Sequence, residues 1–530
     1  MRRLLPTVLV LTATLTGAAH AAAGPPMTLP GDVRAAGVAA DGRTWIVGAR
    51  QGGAAVARIA RRFGARPVGS VGAHLVPRPA ARAFAAALRR RGLLSFAEPN
   101  RLSRRRQTGG DPFTGPTRWR SVVVEPGLEP PAVTGGSPRL ALIDSKLDAG
   151  HPEFEGGRID SVGGMAVEDE HGTATASLAA APTNGRGIEG VWPGMFATNF
   201  ATDLSCGDIV RRIRDVVERG YSVLNMSYGA SQECFAESAE LQRATGAGVL
   251  LVAAAGNEFT AGNPLQYPAS LPHVVTVAAT DLEGRPSYFS NANAAIDLAA
   301  PGERVAVAVP PDHDPDGDGN GYALLDGTSF ASPIVAGAAT WVAAERPELS
   351  VDQLALVVKL SADDLGSRGW DPHTGYGMLN VGDALRIRAP RSDPLEPNED
   401  IFWVDGTVFS NRDPFVYDGR PRRTGLRARL DQYEDPADVY RVRFPGRSRT
   451  RITVVPSFGD PDLAVFRGGA RDTGARPVGR SRRSGDARDR MVIANRAGSS
   501  RRGFVQVHIE PGARVLDSGY ALRFKRLRAR

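Results

Sequence analysis

The 530-residue sequence predicts an α/β core, a parallel sheet with helices on both faces, flanked by two smaller units of other classes. Three patterns predict it. Between Leu140 and about Ala389, short apolar runs alternate with helical ones, as in a sheet buried on both sides. From 22 to 106 the order reads β-α-β-β-α-β. Beyond Arg391 the helical periodicity stops, and short β-like runs between turn residues predict an all-β sandwich.

The chain opens with Arg2-Arg3, an apolar run from Leu4 to Leu15 and small residues ending Ala19-His20-Ala21. A charged start, a short apolar stretch and an A-x-A site make 1–21 a signal peptide. The run is too short to span a bilayer, and no later segment reaches ~20 apolar residues. The mature protein is therefore expected to be exported, without a membrane span. In 22–106, Trp45 to Gly48 reads as a strand, and Ala54 to Phe63 as a helix with Val56, Ile59, Ala60 and Phe63 on one face. A hairpin follows from Val68 to Val76, then a helix from Ala80 to Arg91 and a strand from Leu93 to Ala97, expected beside the first. The basic run Arg101-Leu102-Ser103-Arg104-Arg105-Arg106 suits the end of a removable segment.

In the middle region, 107–390, the apolar strands are Leu140 to Ile143, Val223 to Met226, Val249 to Ala255 and Val274 to Ala278. Asp208 to Arg219 is helical, with Ile209, Ile213, Val216 and Val217 on one face. In such sheets sites lie at the carboxyl ends of strands, where Asp144, Ser227 and Asn257 fall. In 391–530, Asp393 to Glu399 reads as a linker. Strands follow at Val439 to Phe444, Arg451 to Pro456, Asp462 to Phe466, Met491 to Ala494, Gly503 to Ile509 and Tyr520 to Phe524. Gly468 to Arg490 reads as a long mobile loop.

Ser329 lies in Gly327-Thr328-Ser329-Phe330-Ala331-Ser332-Pro333, between a Gly-rich loop and an apolar helical run. A helix N-terminus, with unpaired N–H groups and a favourable dipole, suits a nucleophile whose attack creates an oxyanion. A serine hydroxyl needs a base, and His171, opening a helix, is the candidate. Asp144 would orient His171, and the Asn257 amide would meet the oxyanion beside the Ser329 N–H. The order Asp, His, Ser is one of the known chain orders of that geometry. A lipase reading fails because Gly327-Thr328-Ser329-Phe330-Ala331 lacks the second Gly of G-x-S-x-G. Each piece alone is bland; together and in order they are not.

Residues 140–389 resemble the subtilisin-like serine proteases. The resemblance rests on Ala141 to Ser145 with Asp148 to Phe154, His171-Gly172-Thr173, Gly187 to Val191, Leu224 to Gly229, Ala254 to Asn257, Tyr267-Pro268-Ala269, Gly327 to Pro333, and Tyr376 to Asn380. It implies a triad of Asp144, His171 and Ser329, Asn257 as oxyanion donor, and Ser227-Tyr228-Gly229 pairing with an extended polypeptide substrate as an added strand. It makes His151-Pro152 a structural feature. Residues 22–106 are similar to the family's inhibitory propeptides, which assist folding and are cut off. The region 391–530 resembles a pre-peptidase C-terminal sandwich through Glu396-Pro397-Asn398, Asp438 to Val442 and Gly459 to Leu463, a kind of domain that is sometimes trimmed. One position departs: Lys146 stands where the family has Gly. It either points to solvent harmlessly, or it changes the turn and depresses the pKa of His171, leaving a weak protease or a peptide binder. Another alternative makes the C-terminal region an adhesion module that the protease only matures.

No cofactor is required by this chemistry. Asp314, Asp316 and Asp318 alternate like the start of a calcium loop, but its twelfth position is Leu325, and a solvated acidic loop is the other reading. The two cysteines, Cys206 and Cys234, lack zinc spacing; export predicts a disulfide, with two buried thiols as the alternative. The formal charge is +8 and the pI about 9.8, yet only Lys146, Lys359 and Lys525 are lysines. The arginines read as scattered, with no periodic face and no base-reading motif, so no nucleic-acid partner is expected.

Overall fold

The computed structural model describes residues 40–49, 54–68, 73–101, 119–317, 319–406, 412–420, 425–485, 487–510 and 517–527. The expected signal peptide and residues 102–106 lie outside them. Met1–Thr108 and Gly109–Arg530 form separate compact units.

The first unit runs β1 (Ala40–Ala49), α1 (Ala54–Arg62), β2 (Arg66–Val68), β3 (Ala73–Pro77), α2 (Arg78–Arg89), β4 (Leu94–Arg101). Its antiparallel sheet has the order β2-β3-β1-β4, with the last strand beside the first as expected. The apolar stripes of both helices, including Val56, Ile59, Phe84 and Leu88, bury against Val47 and Val76.

The second unit opens with α3 (Trp119–Val123), β5 (Leu140–Asp144), β6 (Arg158–Val162), α4 (His171–Ala180), β7 (Phe196–Ala201) and α5 (Cys206–Glu218). Next come β8 (Val223–Met226), α6 (Phe235–Gly246), β9 (Leu250–Ala254), β10 (Val274–Thr280), β11 (Leu298–Pro301), and the hairpin β12 (Val305–Ala308) and β13 (Tyr322–Leu325). Helices α7 (Thr328–Glu345), α8 (Val351–Leu360) and α9 (Val381–Arg386) complete this part. The seven-stranded sheet has the order β11-β10-β9-β8-β5-β7-β6, parallel throughout. Alternate residues of each strand serve opposite faces. Leu140, Leu142, Val252 and Val277 pack against α4 and α7, while Ala141, Ile143, Leu224 and Leu251 pack against α5 and α6. From β7 to β8 the chain crosses over β5, which opens a crevice at the carboxyl ends of β5 and β8. Cys206 and Cys234, at the starts of α5 and α6, are disulfide-bonded.

The region beyond 391 adds α10 (Ile401–Val404), β14 (Gly425–Asp431), β15 (Ala437–Phe444), β16 (Ser448–Phe458), β17 (Asp462–Arg467), β18 (Gly479–Ser481), β19 (Asp489–Asn495), β20 (Arg501–His508) and β21 (Asp517–Leu527). Two antiparallel sheets, β14-β21-β16-β19 and β15-β20-β17-β18, close on Tyr440, Leu463, Val505, Ile452, Leu522 and Phe524. β18 falls inside the stretch expected to be all loop, pairing with β17.

The expected linker 393–399 is instead part of a packed junction. Asn398 and Glu399 are buried there, and Asn398 Oδ1 accepts from the Val439 N–H at 2.7 Å. Lys359 of α8, 1% exposed, donates to Asp297 at 3.2 Å and to Glu434 across the junction, with Asp431 at 3.6 Å. The Glu434 carbonyl accepts from the His273 N–H at 2.8 Å, and Tyr376 donates to Asp517 at 2.8 Å. A sequence reads as a linker here because polar and Pro residues dominate. Burying the lysine and the amide became feasible because Lys359 and Asn398 find partners on the facing part.

Candidate active site

Asp144 ends β5 with its carboxylate buried. Oδ1 accepts from His171 Nδ1 at 2.6 Å and from the Ser145 N–H at 2.8 Å; Oδ2 accepts from Thr175 Oγ1 at 3.0 Å. Both oxygens are thus fixed by groups on two elements. Thr175 lies one turn along α4 from His171, so the helix carries both the ring and the group that holds its carboxylate. Asn199 of β7, wholly buried, supports the turn after Asp144 by donating to the Ser145 carbonyl at 2.9 Å. α4 approaches that turn closely enough that a Cβ on Gly172 would lie 2.2 Å from the Ser145 carbonyl oxygen. Only glycine fits the position.

Burial pulls the pKa of His171 down. The Asp144 carboxylate, by charge and hydrogen bond, overcomes this with help from Asp169 and Glu170, and raises it to about 8. Lys146 does not depress it. Its backbone does not require glycine's left-handed conformation, and its ammonium donates to the Gly163 carbonyl at 3.0 Å.

Ser329 is the second residue of α7, and Phe330 beside it packs on the His171 ring with centroids 5.7 Å apart. Pro333 lies inside this helix. Lacking an N–H, it leaves the Ser329 carbonyl without its usual helical donor. The Ser227 hydroxyl takes that place at 2.8 Å, and Ser329 Oγ donates back to the Ser227 carbonyl at 3.1 Å. Behind them Ser332 donates to Asn225 Oδ1 at 2.7 Å, and Asn225 Nδ2 donates to Ser227 Oγ at 3.0 Å. This chain of polar groups clamps the end of β8 to the start of α7. Ser332, inside α7, is one of its members. Thr175, Asn199 and Asn225 were hidden: each is a polar residue among apolar neighbours, and that oddity was the available signal.

Asn257 follows β9 at the cleft surface. Its Oδ1 accepts from the Thr328 N–H and hydroxyl, each at 2.9 Å. That occupies the carbonyl end and leaves Nδ2 as the free donor, 3.5 Å from where a Cβ on Gly327 would stand. In Ser227-Tyr228-Gly229, the Tyr228 side chain turns inward to Glu237, at 2.9 Å, and burial with that carboxylate holds the phenol well above its ordinary pKa. The backbone of these residues is outside any strand, and Gly229 is exposed. His151, buried, accepts from the Glu153 N–H and packs on Phe154 and Tyr322, away from Asp144.

Residues 135–377 match the family described as Peptidase S8, the subtilase family. Subtilisin DY of Bacillus licheniformis is 31% identical over 258 residues, covering 47% of this chain and 90% of that relative. The chain belongs to the subtilase family. The subtilisin of Bacillus pumilus is 29% identical over 273 residues, 49% of this chain and 95% of its own length. Alkaline elastase YaB of Bacillus sp. (strain YaB) is 33% identical over 262 residues, 48% and 66%. Subtilases are serine endopeptidases acting on polypeptides, and this chain is one of them. Among the described residues, no helix is long and apolar enough to cross a membrane.

Among the described residues, the acidic and histidine groups whose ligand atoms converge lie outside the subtilase cleft. The Asp314 carboxylate accepts the N–H groups of Asp316 and Gly321, within its own loop, and Asp318 lies outside the described residues. Among the described residues, ligand atoms converge in Asp393/Asp435/Asp438, His273/Glu396/Glu399 and Asp462/His508/Glu510. The first set, all oxygen, is the one chemically suited to a hard ion such as Ca²⁺. Burial, then the charge of Asp438, pushes Asp393 up to about 9, and burial with neighbouring carboxylates holds Asp435 well above its ordinary value. One oxygen on each of Asp393, Asp435 and Asp438 has no hydrogen-bond partner. Carboxylates crowded this way share protons or need a cation.

Proposed function

We propose that this subtilase cleaves peptide bonds through an acyl-enzyme on Ser329, with His171 as base and Asp144 as its orienting carboxylate. The observation that carries the assignment is the 2.6 Å bond from His171 Nδ1 to an Asp144 carboxylate anchored at both oxygens. With Nδ1 committed, Nε2 is the atom left to take a proton. A turn of the Ser329 side chain from the Ser227 carbonyl toward Nε2 gives up its proton as Oγ attacks the substrate carbonyl. His171 then returns that proton to the leaving amine, and water, activated by the same base, releases the acyl group. Asp144 stays ionised throughout. Asn257 Nδ2 and the Ser329 N–H meet the oxyanion. The backbone of Ser227 to Gly229, outside any strand, takes the substrate as an added strand. Residues 1–21 direct export and 22–106 serve as a propeptide; the disulfide suits an oxidising compartment.

The test is release of labelled casein by purified mature protein against Ser329→Ala. Loss of about 10⁶ in turnover is the scale reported for a subtilisin nucleophile. Ser329→Ala should also stay full length. Equal activity in the two proteins would remove the assignment. The peptide-binder reading loses its motive, because Lys146 is engaged at Gly163.

A further inference from the structure

The arginines that read as scattered in sequence converge on one sheet face. In β14, β16, β19 and β21, Leu430, Ile452, Val454, Leu522 and Phe524 point into the sandwich core. The alternate residues therefore face out, and register places them side by side. Arg490 stands opposite Thr453, and Thr453 opposite Arg523. Arg451 stands directly opposite Lys525, and Arg427 stands opposite Ala521. Arg391 and Arg488 flank the same hollow, of about 1030 Å³, which no Asp or Glu lines.

Like charges directly opposite each other on neighbouring strands destabilise a sheet. Arg429, the other arginine pointing out of β14, has a carboxylate partner in Asp517 at 2.6 Å, and Arg482 has one in Glu510 at 2.8 Å. Among the described residues these seven cations have none. A repulsion kept without internal relief is one that a bound anion relieves.

We infer that the outer face of β14-β21-β16-β19 binds an acidic polysaccharide. Guanidinium groups suit sulfate, carboxylate or phosphate by paired hydrogen bonds. Between them stand Gly425, Thr453 and Ala521, small residues that let a chain lie along the hollow. The one aromatic lining it, Phe524, is 4% exposed and belongs to the core. Single-stranded nucleic acids are held largely by stacking on exposed rings, and membranes by inserted apolar groups. The hollow offers neither: Phe458 of β16 and Val492 of β19, exposed on the same sheet face, lie outside its lining. The inference is independent of the catalytic assignments.

The experiment uses full-length Ser329→Ala protein, which prevents self-digestion, and heparin as probe. Titration at stepped salt should show binding that weakens steadily as salt rises, and heparin should raise Tm. Arg451→Thr with Lys525→Thr should lower affinity at least tenfold and remove the Tm response, while its own Tm without heparin stays at or above that of the parent. Arg214→Ala with Arg368→Ala removes the same charge from exposed positions on the catalytic part and should change affinity less than threefold. Equal losses in the two double variants would reduce the effect to net charge and overturn the inference. So would absence of heparin binding at 50 mM salt, or tighter binding of a single-stranded oligonucleotide or of anionic phospholipid vesicles at the same salt.

Discussion

Asp144–His171 and Lys359–Asp297–Glu434 are both buried pairings of a base with carboxylate, and they do opposite work. The Lys359 side chain is 1% exposed and takes carboxylates from both sides of the junction; the His171 side chain keeps 30% exposure at the cleft. Burial lowers the pKa of both cations, and carboxylates overcome it in both. The difference lies in where each group titrates. His171 is raised from 6.5 to about 8, so its pairing stabilises the fold in full below about 6.5 and loses that contribution as pH rises through about 8. Above that range the ring is neutral and able to take a proton. Lys359, raised from 10.5, contributes in full below that value and loses it only in stronger alkali. The cleft pair is thus weakest as a structural contact where it is useful as a base, and the junction group never leaves its charged state under ordinary conditions.

The comparison breaks most visibly by substitution. Asp144→Asn should cost about 10⁴ in turnover, roughly 5.5 kcal/mol of barrier, with little change in unfolding midpoint. If turnover fell less than tenfold, Asp144 would not be the orienting group. Lys359→Met should do the reverse. It strands buried Asp297 and Glu434, and removal of one partner from such a group costs about 3–5 kcal/mol. Urea unfolding reads that loss, while turnover per titrated active site in the folded protein stays near the parent's. A stability change under about 1 kcal/mol would mean the carboxylates can reach water, so the junction is looser than drawn. A smaller effect concerns the carboxylates beside it. A cation held by Asp393, Asp435 and Asp438 at 100 times its Kd adds about 2.7 kcal/mol. Chelator should therefore lower Tm in the parent and in Asp314→Asn, but not in Asp435→Asn. An unchanged parent Tm would leave those groups to shared protons.

The two regions also differ in how far sequence exposed them. The cleft was legible because Asp144, His171, Asn257 and Ser329 sit at strand ends or helix starts, inside small-residue motifs that close packing imposes. Gly172 shows the reason: its neighbour is a backbone carbonyl, so no side chain is tolerated. Among the strands that escaped, β7 carries the polar Thr198 and Asn199, and Asn199 supports the site, while β11 and β12 are apolar but only four residues long. The junction was illegible because the partners that bury it lie far along the chain: Glu434 for Lys359, Val439 for Asn398. Local composition reports such segments as solvated linkers. The basic face failed for a related reason. Its arginines alternate along single strands, as in Gly425–Asp431, but their convergence exists only in the register between β14, β16, β19 and β21.

The finest test separates the two pairings by pH. His171 must be neutral to accept the Ser329 proton, so kcat/KM should rise tenfold per unit below about 8 and level off above it. Glu170→Gln removes one of the charges that hold the value up, and it acts through partly exposed space, so the profile should move down by about 0.3 unit. Lys359→Met should leave the apparent pKa in place while lowering stability, because its field is confined to the junction. An apparent pKa at or below 6.5 in the parent would mean that burial outweighs Asp144, and the cleft pair would then be held together by geometry alone. A shift in the profile of Lys359→Met would show instead that the junction positions the cleft, and the two regions would have to be treated as one electrostatic unit.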